Sequence, residues 1–148
     1  MKKIYFAGPL FSAAEREFNA KLTADLEAVG FEVFLPQRDG AERDKPPYDR
    51  MEPEERRRKM FELDRDRVLA ADIFLFVLDG RVPDEGAAVE LGIAYAQRHV
   101  GGKEKLLVGL QTDARAAFLG AKLNPMLKVA LDRIFEEEDA LLDFLRGL

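Results

Sequence analysis

The sequence contains no cysteine, which removes disulfides, thiolate catalysis and cysteine-based zinc sites together. Histidine occurs once, as His99, with no sequence partner for a triad or a metal site. It falls at the end of a helical stretch, where an imidazolium suits the helix dipole. No apolar run approaches the ~20 residues of a membrane-spanning helix. The stretch Met1–Phe6 is too short, and too soon broken by Gly8-Pro9, for a signal peptide. Neither Gly-x-Gly-x-x-Gly, a Walker loop nor Gly-x-Ser-x-Gly is present, so nucleotide-cofactor and serine-hydrolase readings lack support. Acidic residues outnumber basic ones, 28 to 23, so bulk attraction to nucleic acid polymer or anionic membrane is not expected. What is present is 148 residues, 47% hydrophobic and 34% charged, an ordinary make-up for one domain, residues 1–148, with a real core. A cytoplasmic enzyme or binding protein is expected.

Hydrophobic patterning predicts strands at Ile4–Ala7, Phe31–Leu35, Ile73–Leu78, Leu106–Leu110 and Arg133–Phe135. The run Ile-Phe-Leu-Phe-Val-Leu at 73–78 is continuously apolar, as a central strand covered on both faces requires. Helices are predicted between them. Ser12 and Glu15 form a capping box that opens a helix with Phe18, Leu22 and Leu26 on one face, stopped by Gly30. Glu54–Ala71 is helical, with Met60, Leu63 and Leu69 as candidate buried positions. Gly86–Arg98 is an apolar, small-residue helix, Asn124–Leu131 a short one and Asp139–Leu145 the last. Gln37–Pro53 is the one long loop. Strands alternating with helices point to an α/β fold, here a flavodoxin-like doubly wound parallel sheet of five strands with helices on both faces. In such folds ligands bind beyond the carboxyl ends of the strands, where strand order reverses. That selects Gly8–Ser12, Pro36–Asp39, Asp79–Gly86 and the loop after Leu110.

The segment Asp84-Glu85-Gly86-Ala87-Ala88-Val89-Glu90-Leu91-Gly92 follows a buried strand and opens a helix. Glu90 is the only charged residue between Gly86 and Gln97. A carboxylate among Ala, Val, Leu and Ile costs several kcal/mol unless it is paired or used. Gly86, one turn earlier, leaves room above it. The competing reading is a solvent-facing glutamate on a surface helix. Further carboxylates stand at Asp64, Asp66, Asp72, Asp79 and Asp84, and a pair of them can divide glycosidic cleavage between attack on the anomeric carbon and protonation of the leaving group. Asp72 precedes its strand and reads as a cap or turn. Asp79-Gly80 is equally a plain turn, and Asp64 in a charged helix ordinarily reads as a solvated residue. The basic run Arg56–Lys59 is flanked by Glu54, Glu55 and Glu62 and reads as a solvated face.

The chain resembles the nucleoside 2-deoxyribosyltransferase family along nearly its whole length. The resemblance rests on Ile4-Tyr5-Phe6-Ala7-Gly8-Pro9-Leu10-Phe11, on Leu35-Pro36, on Asp64, on Asp84-x-Gly86-x-x-x-Glu90-x-Gly92 followed by Tyr95-Ala96, and on Asn124-Pro125-Met126. It implies a double displacement with retention, as in retaining glycosidases. Glu90 attacks the anomeric carbon and Asp64 protonates the departing base, while Tyr5 orients Glu90. Gly8 and Pro9 belong to the substrate loop, Asp84 holds sugar hydroxyls beside Gly86, and Gln37 contacts the base. Asn124, with Met126, reaches the sugar from a neighbouring subunit, so a homo-oligomer with shared sites is implied. The substrates are deoxynucleosides and free nucleobases, and neither metal nor cofactor is called for.

Two rivals remain. A 2-deoxynucleoside 5′-monophosphate N-glycosidase shares the fold and the nucleophilic glutamate but needs an anion-binding loop after the first strand. Here that loop, Gly8-Pro9-Leu10-Phe11, is apolar, although Arg38 and the Arg56–Lys59 cluster offer cations. A non-catalytic nucleotide-binding or receiver domain would need an acidic pair where this chain has Gly-Pro.

Overall fold

Alternation along the central strands decides which side chain meets which layer. The computed structural model describes residues 1–148, the side chain of Ala116 excepted. In β1 (Lys3–Ala7), Ile4 and Phe6 enter one core cluster and Tyr5 and Ala7 the other, as the two-residue period of a strand dictates. β3 (Ile73–Val77) is buried throughout, with Ile73, Leu75 and Val77 on the side of Ile4 and Phe74 and Phe76 on the side of Tyr5. Together with β2 (Glu32–Phe34), β4 (Leu106–Leu110) and β5 (Arg133–Phe135) they form one parallel sheet in the order β2-β1-β3-β4-β5. The fold is flavodoxin-like α/β, as expected.

The helices are α1 (Ala13–Ala28), α2 (Pro36–Asp39), α3 (Pro53–Ala70), α4 (Glu85–His99), α5 (Arg115–Phe118), α6 (Pro125–Ala130) and α7 (Glu138–Arg146). Leu22 and Leu26 of α1 and Leu141 and Leu145 of α7 cover the face of Ile4 and Phe6. Val68 of α3 and Ala87, Leu91 and Ala94 of α4, with Leu127 of α6 at the edge, cover the face of Tyr5. The predicted capping box is formed: Glu15 N donates to Ser12 Oγ at 3.2 Å and Ser12 N to Glu15 Oε2 at 2.8 Å. Asp72 accepts from Lys3 N at 2.8 Å, at the amino ends of β1 and β3, in the bend that leads into β3. No helix among the described residues is long and apolar enough to cross a membrane.

Three local readings are corrected. The stretch expected as one loop, 37–53, begins inside α2 and contains a 3-10 turn, Tyr48–Arg50. Pro36 supplies a preset first-turn φ, and the Asp39 carboxylate accepts from Leu35 N at 2.9 Å to close that turn. A second one-turn helix, α5, follows β4 unannounced by any periodicity. Met60, expected inside, is 43% exposed, and Leu63 and Leu69 are half-buried. The reason is that α3 meets the sheet near its C-terminal end, through Val68, while its middle borders a groove. That end is pinned by side chains: buried Lys105 donates to the carbonyls of Val68 and Ala71, and Lys103 and Gln97 donate to that of Leu69.

The chain runs outward from β1 to β2 and then back across β1 to β3, so strand order reverses between β1 and β3. Gly8 sits at that point. A Cβ on it would stand 3.0 Å from Val77 Cβ and 3.1 Å from the Val77 carbonyl oxygen, tighter than side chains ordinarily pack. Glycine lets β1 end this close to β3 without a shift of Val77.

Candidate active site

Tyr5 is fully buried at the centre of the sheet, and register fixes its neighbours. Its Cα partners are Phe34 on β2 and Phe74 on β3, and the three rings stack, with centroids 5.6 and 5.8 Å from that of Tyr5. The ring so held aims its hydroxyl at α4, where it donates to Glu90 Oε1 at 2.8 Å. Gly86, Val89, Glu90 and Ile93 share one face of α4 by helical spacing. Arg57, Met60, Phe61, Asp64 and Arg65 form the facing stripe of α3. Between the two stripes runs a groove of about 330 Å³ lined by all nine. Glu90 and Asp64 therefore meet across one apolar-walled groove, with Tyr5 bound to Glu90.

Burial sets the protonation of both acids. It pushes Glu90 up to about 8, helped by the charges of Asp64 and Asp84 and opposed by the Tyr5 hydrogen bond. It pushes Asp64 up to about 6. Asp64 Oδ1 is buried without a hydrogen-bond partner among the described residues. Tyr5, facing these carboxylates in a dry site, is held well above its ordinary value. Between about 6 and about 8 the carboxyl pair holds one proton, which rests on Glu90, the higher of the two; attack by Glu90 requires that proton to pass to Asp64, which then donates it. The sign of the pH dependence follows. Below about 6 both groups are protonated and no nucleophile exists; above about 8 neither carries a proton to give. A bell-shaped kcat/KM with its maximum between these values is expected; a rate flat from pH 5 to 9 would contradict it.

Asp84 is the N-cap of α4 and accepts from Ala87 N at 2.8 Å. Gly86 makes room for that cap as well as for the groove, because a Cβ there would stand 3.2 Å from Asp84 Oδ2. Pro9 and Gln37 lie further along the carboxyl ends of the strands. Asn19 Nδ2 donates to the Pro9 carbonyl at 2.8 Å and to Gln37 Oε1 at 3.0 Å, and Gln37 Nε2 donates to the Arg16 carbonyl at 2.8 Å. Each end of the Gln37 amide therefore has a protein partner on α1, and Asn19 links Gln37 to the loop after β1. Asp79 accepts from the backbone of Thr112 and Asp113, tying the loop after β3 to the loop after β4. Arg38 is engaged by Glu27, Asp39 and the Val33 carbonyl, and Arg57 and Lys59 pair with Glu54 and Glu62.

Asn124 and Met126 are not brought to Glu90 within one chain. Both are exposed, and both line a second, largely apolar groove of about 610 Å³ beside Glu85, Ala88, Gly92 and Tyr95. Those α4 residues lie on a different stripe from Gly86, Glu90 and Ile93. Asn124 caps α6 by accepting from Met126 N at 2.9 Å. Sequence reasoning missed Phe34, Phe74 and Asn19. The signal for Asn19 was present, since it stands three residues before Leu22 on the apolar stripe of α1 and is buried. Phe34 and Phe74 became visible only through strand register.

A family model described as nucleoside 2-deoxyribosyltransferase matches residues 4–140. Among solved structures, a conserved protein from Enterococcus faecalis V583 is 30% identical, with a TM-score of 0.75 and 99% of this chain and 98% of that chain covered. The 2-deoxyribosyltransferase from Bacillus psychrosaccharolyticus is 25% identical, with a TM-score of 0.74 and coverage of 95% and 90%. The 2-desoxiribosyltransferase from Leishmania mexicana shares the fold at 22% identity, with a TM-score of 0.60 and coverage of 99% and 98%. No curated protein matches the chain.

Proposed function

The chain belongs to the nucleoside 2-deoxyribosyltransferase family, and on that premise we propose that it moves 2-deoxyribose between nucleobases through an ester on Glu90. The observation that carries this reading is the Tyr5–Glu90 hydrogen bond of 2.8 Å facing Asp64 across one groove. In the first half-reaction a Glu90 oxygen bonds to C1′ of a deoxynucleoside. The C1′–N bond breaks, its electron pair leaves with the base, and Asp64 delivers the proton that base requires. In the second, a nitrogen of an incoming base bonds to C1′, the ester bond returns its pair to Glu90, and the proton lost by the base goes to Asp64. Two displacements on one carbon retain configuration. The missing 2′-hydroxyl eases positive charge at C1′, so one carboxylate and one acid suffice. Met60, Phe61, Val89 and Ile93 give the groove apolar walls against which the base and sugar can pack. Asp84 is assigned to the sugar hydroxyls and Gly8 and Pro9 to the substrate loop.

The test pairs adenine with either deoxyinosine or its 5′-monophosphate. Deoxyadenosine from the nucleoside supports the transferase. Deoxyribose 5-phosphate from the monophosphate, without exchange, would replace it with the hydrolase reading, and turnover of neither would remove catalysis. The apolar loop after β1 and the prior engagement of Arg38, Arg57 and Lys59 favour an uncharged 5′ end.

The position of Asn124 across α4 from Glu90 supports a shared site, in which a neighbour's Asn124 and Met126 approach each groove. Mixing inactive Glu90→Ala and Asn124→Ala proteins under subunit exchange is then expected to restore activity, up to roughly a quarter of wild type for random pairs. No recovery despite demonstrated exchange would place Asn124 in its own chain's site.

A further inference from the structure

Phe34 is the last residue of a three-residue edge strand, a place where a large aromatic is ordinarily peripheral. Here it has two specific partners. Its ring stacks on Tyr5 with planes 20° apart, and the guanidinium of Arg67 lies 5.3 Å over it. Tyr5 holds Glu90. Arg67 stands three residues after Asp64 on α3, one helical turn away. One ring thus touches both the side chain that orients the nucleophile and the helix that carries the acid. The stack continues through Tyr5 to Phe74. Without Phe34, the Tyr5 ring would be gripped from the Phe74 side alone and free to tilt its hydroxyl off Glu90.

We propose that Phe34, clamped by Arg67, is a positioning residue that sets Tyr5 against Glu90 and holds α3 in step with it. Phe34 touches no reacting atom; it acts through Tyr5. The role in catalysis rests on the transferase reading, but the role in placing Tyr5 does not. The groups facing Glu90 are the Tyr5 hydroxyl from β1, Asp64 from α3 and Asp84 at the head of α4, with Arg57 and Arg65 of α3 lining the same groove. Of these, the Tyr5 hydroxyl is the group that Phe34 reaches. Its hydrogen bond favours the ionised Glu90, so loosening it raises the pH at which Glu90 loses its proton.

The experiment compares wild type, Phe34→Leu, Tyr5→Phe and the double variant by two readouts. One is the titration of the Glu90 carboxyl followed by NMR on glutamate-labelled protein, and the other is kcat and KM for base exchange. Phe34→Leu is expected to move the Glu90 titration to higher pH, in the same direction as Tyr5→Phe. It should lower kcat by roughly two- to tenfold, the scale of an aromatic pair, with a smaller change in KM. In the Tyr5→Phe background the same substitution should add little, because its route to Glu90 is already cut. Phe34→Tyr should restore both readouts, and Arg67→Met should move them the same way by less. If wild type shows no exchange yet the titration shifts as described, the positioning role stands and the transferase reading falls. An unshifted titration in a folded Phe34→Leu protein, or a full additive loss in the Tyr5→Phe background, would overturn the proposal.

Discussion

Glu90→Ala is expected to abolish deoxyribosyl transfer, with a loss of several orders of magnitude in turnover, while the protein stays folded. The size follows from the role, since without the carboxylate there is no ester and the reaction loses its two-step route. Folding should survive because Glu90 contributes no packing to the core; its neighbours Ala87, Leu91 and Ala94 do. The amide variant sharpens the test. Burial raises the Glu90 carboxyl from 4.5 to about 8, so the folded state holds its proton after the unfolded state has released it. Stability from this group is present below the unfolded value and is lost as pH climbs from about 4.5 through 8. Glu90→Gln should therefore melt a few degrees above wild type at pH 8 and level with it near pH 4.5. A variant that is inactive and more stable marks a residue kept for chemistry at a cost to the fold. Retention of more than a few per cent of activity in folded Glu90→Ala would remove Glu90 as nucleophile.

The second large effect is expected from Asp64→Asn. The amide keeps the shape of the side chain but has no proton to deliver to the leaving base, and general acid catalysis typically supplies about 10²–10⁴-fold. The loss should fall on kcat, and nucleosides whose bases leave readily without protonation should be rescued most. The high pH limb of the rate profile should also vanish, since the proton lost there belongs to the pair that Asp64 completes. Equal defects for good and poor leaving groups would take the acid role from Asp64 and make Asp79 or Asp84 the candidates.

Much of this was legible in the chain itself, for identifiable reasons. A strand buried on both faces has to be apolar throughout, and 73–77 is; a lone carboxylate in an apolar helix stands out against its neighbours, and Glu90 does. The capping box at Ser12 and Glu15 is a local code and formed as read. What stayed hidden depends on relations between distant segments. Nothing near Phe34 says that it pairs in register with Tyr5, because parallel register is fixed by the packing of whole layers rather than by a turn. Met60 has the residue type of a core position, yet α3 meets the sheet only toward its end, which leaves Met60 on the rim of the groove. The helical turns of α2 and α5 are too short to leave a periodic trace. The placement of Asn124 and Met126 on the far side of α4 is likewise a property of the tertiary fold.

The central claim, a deoxyribosyl ester on Glu90, is tested most directly by catching it. The enzyme is mixed with a deoxynucleoside in the absence of acceptor base, quenched in acid within the first turnovers, digested, and mapped by mass spectrometry. The account predicts one added deoxyribosyl group, on the peptide that contains Glu90. It should disappear when acceptor base is added before the quench, and it should be absent from Glu90→Ala. A deoxyribosyl group found on another residue, or a product of inverted configuration at C1′ from an enzyme that turns over, would contradict it.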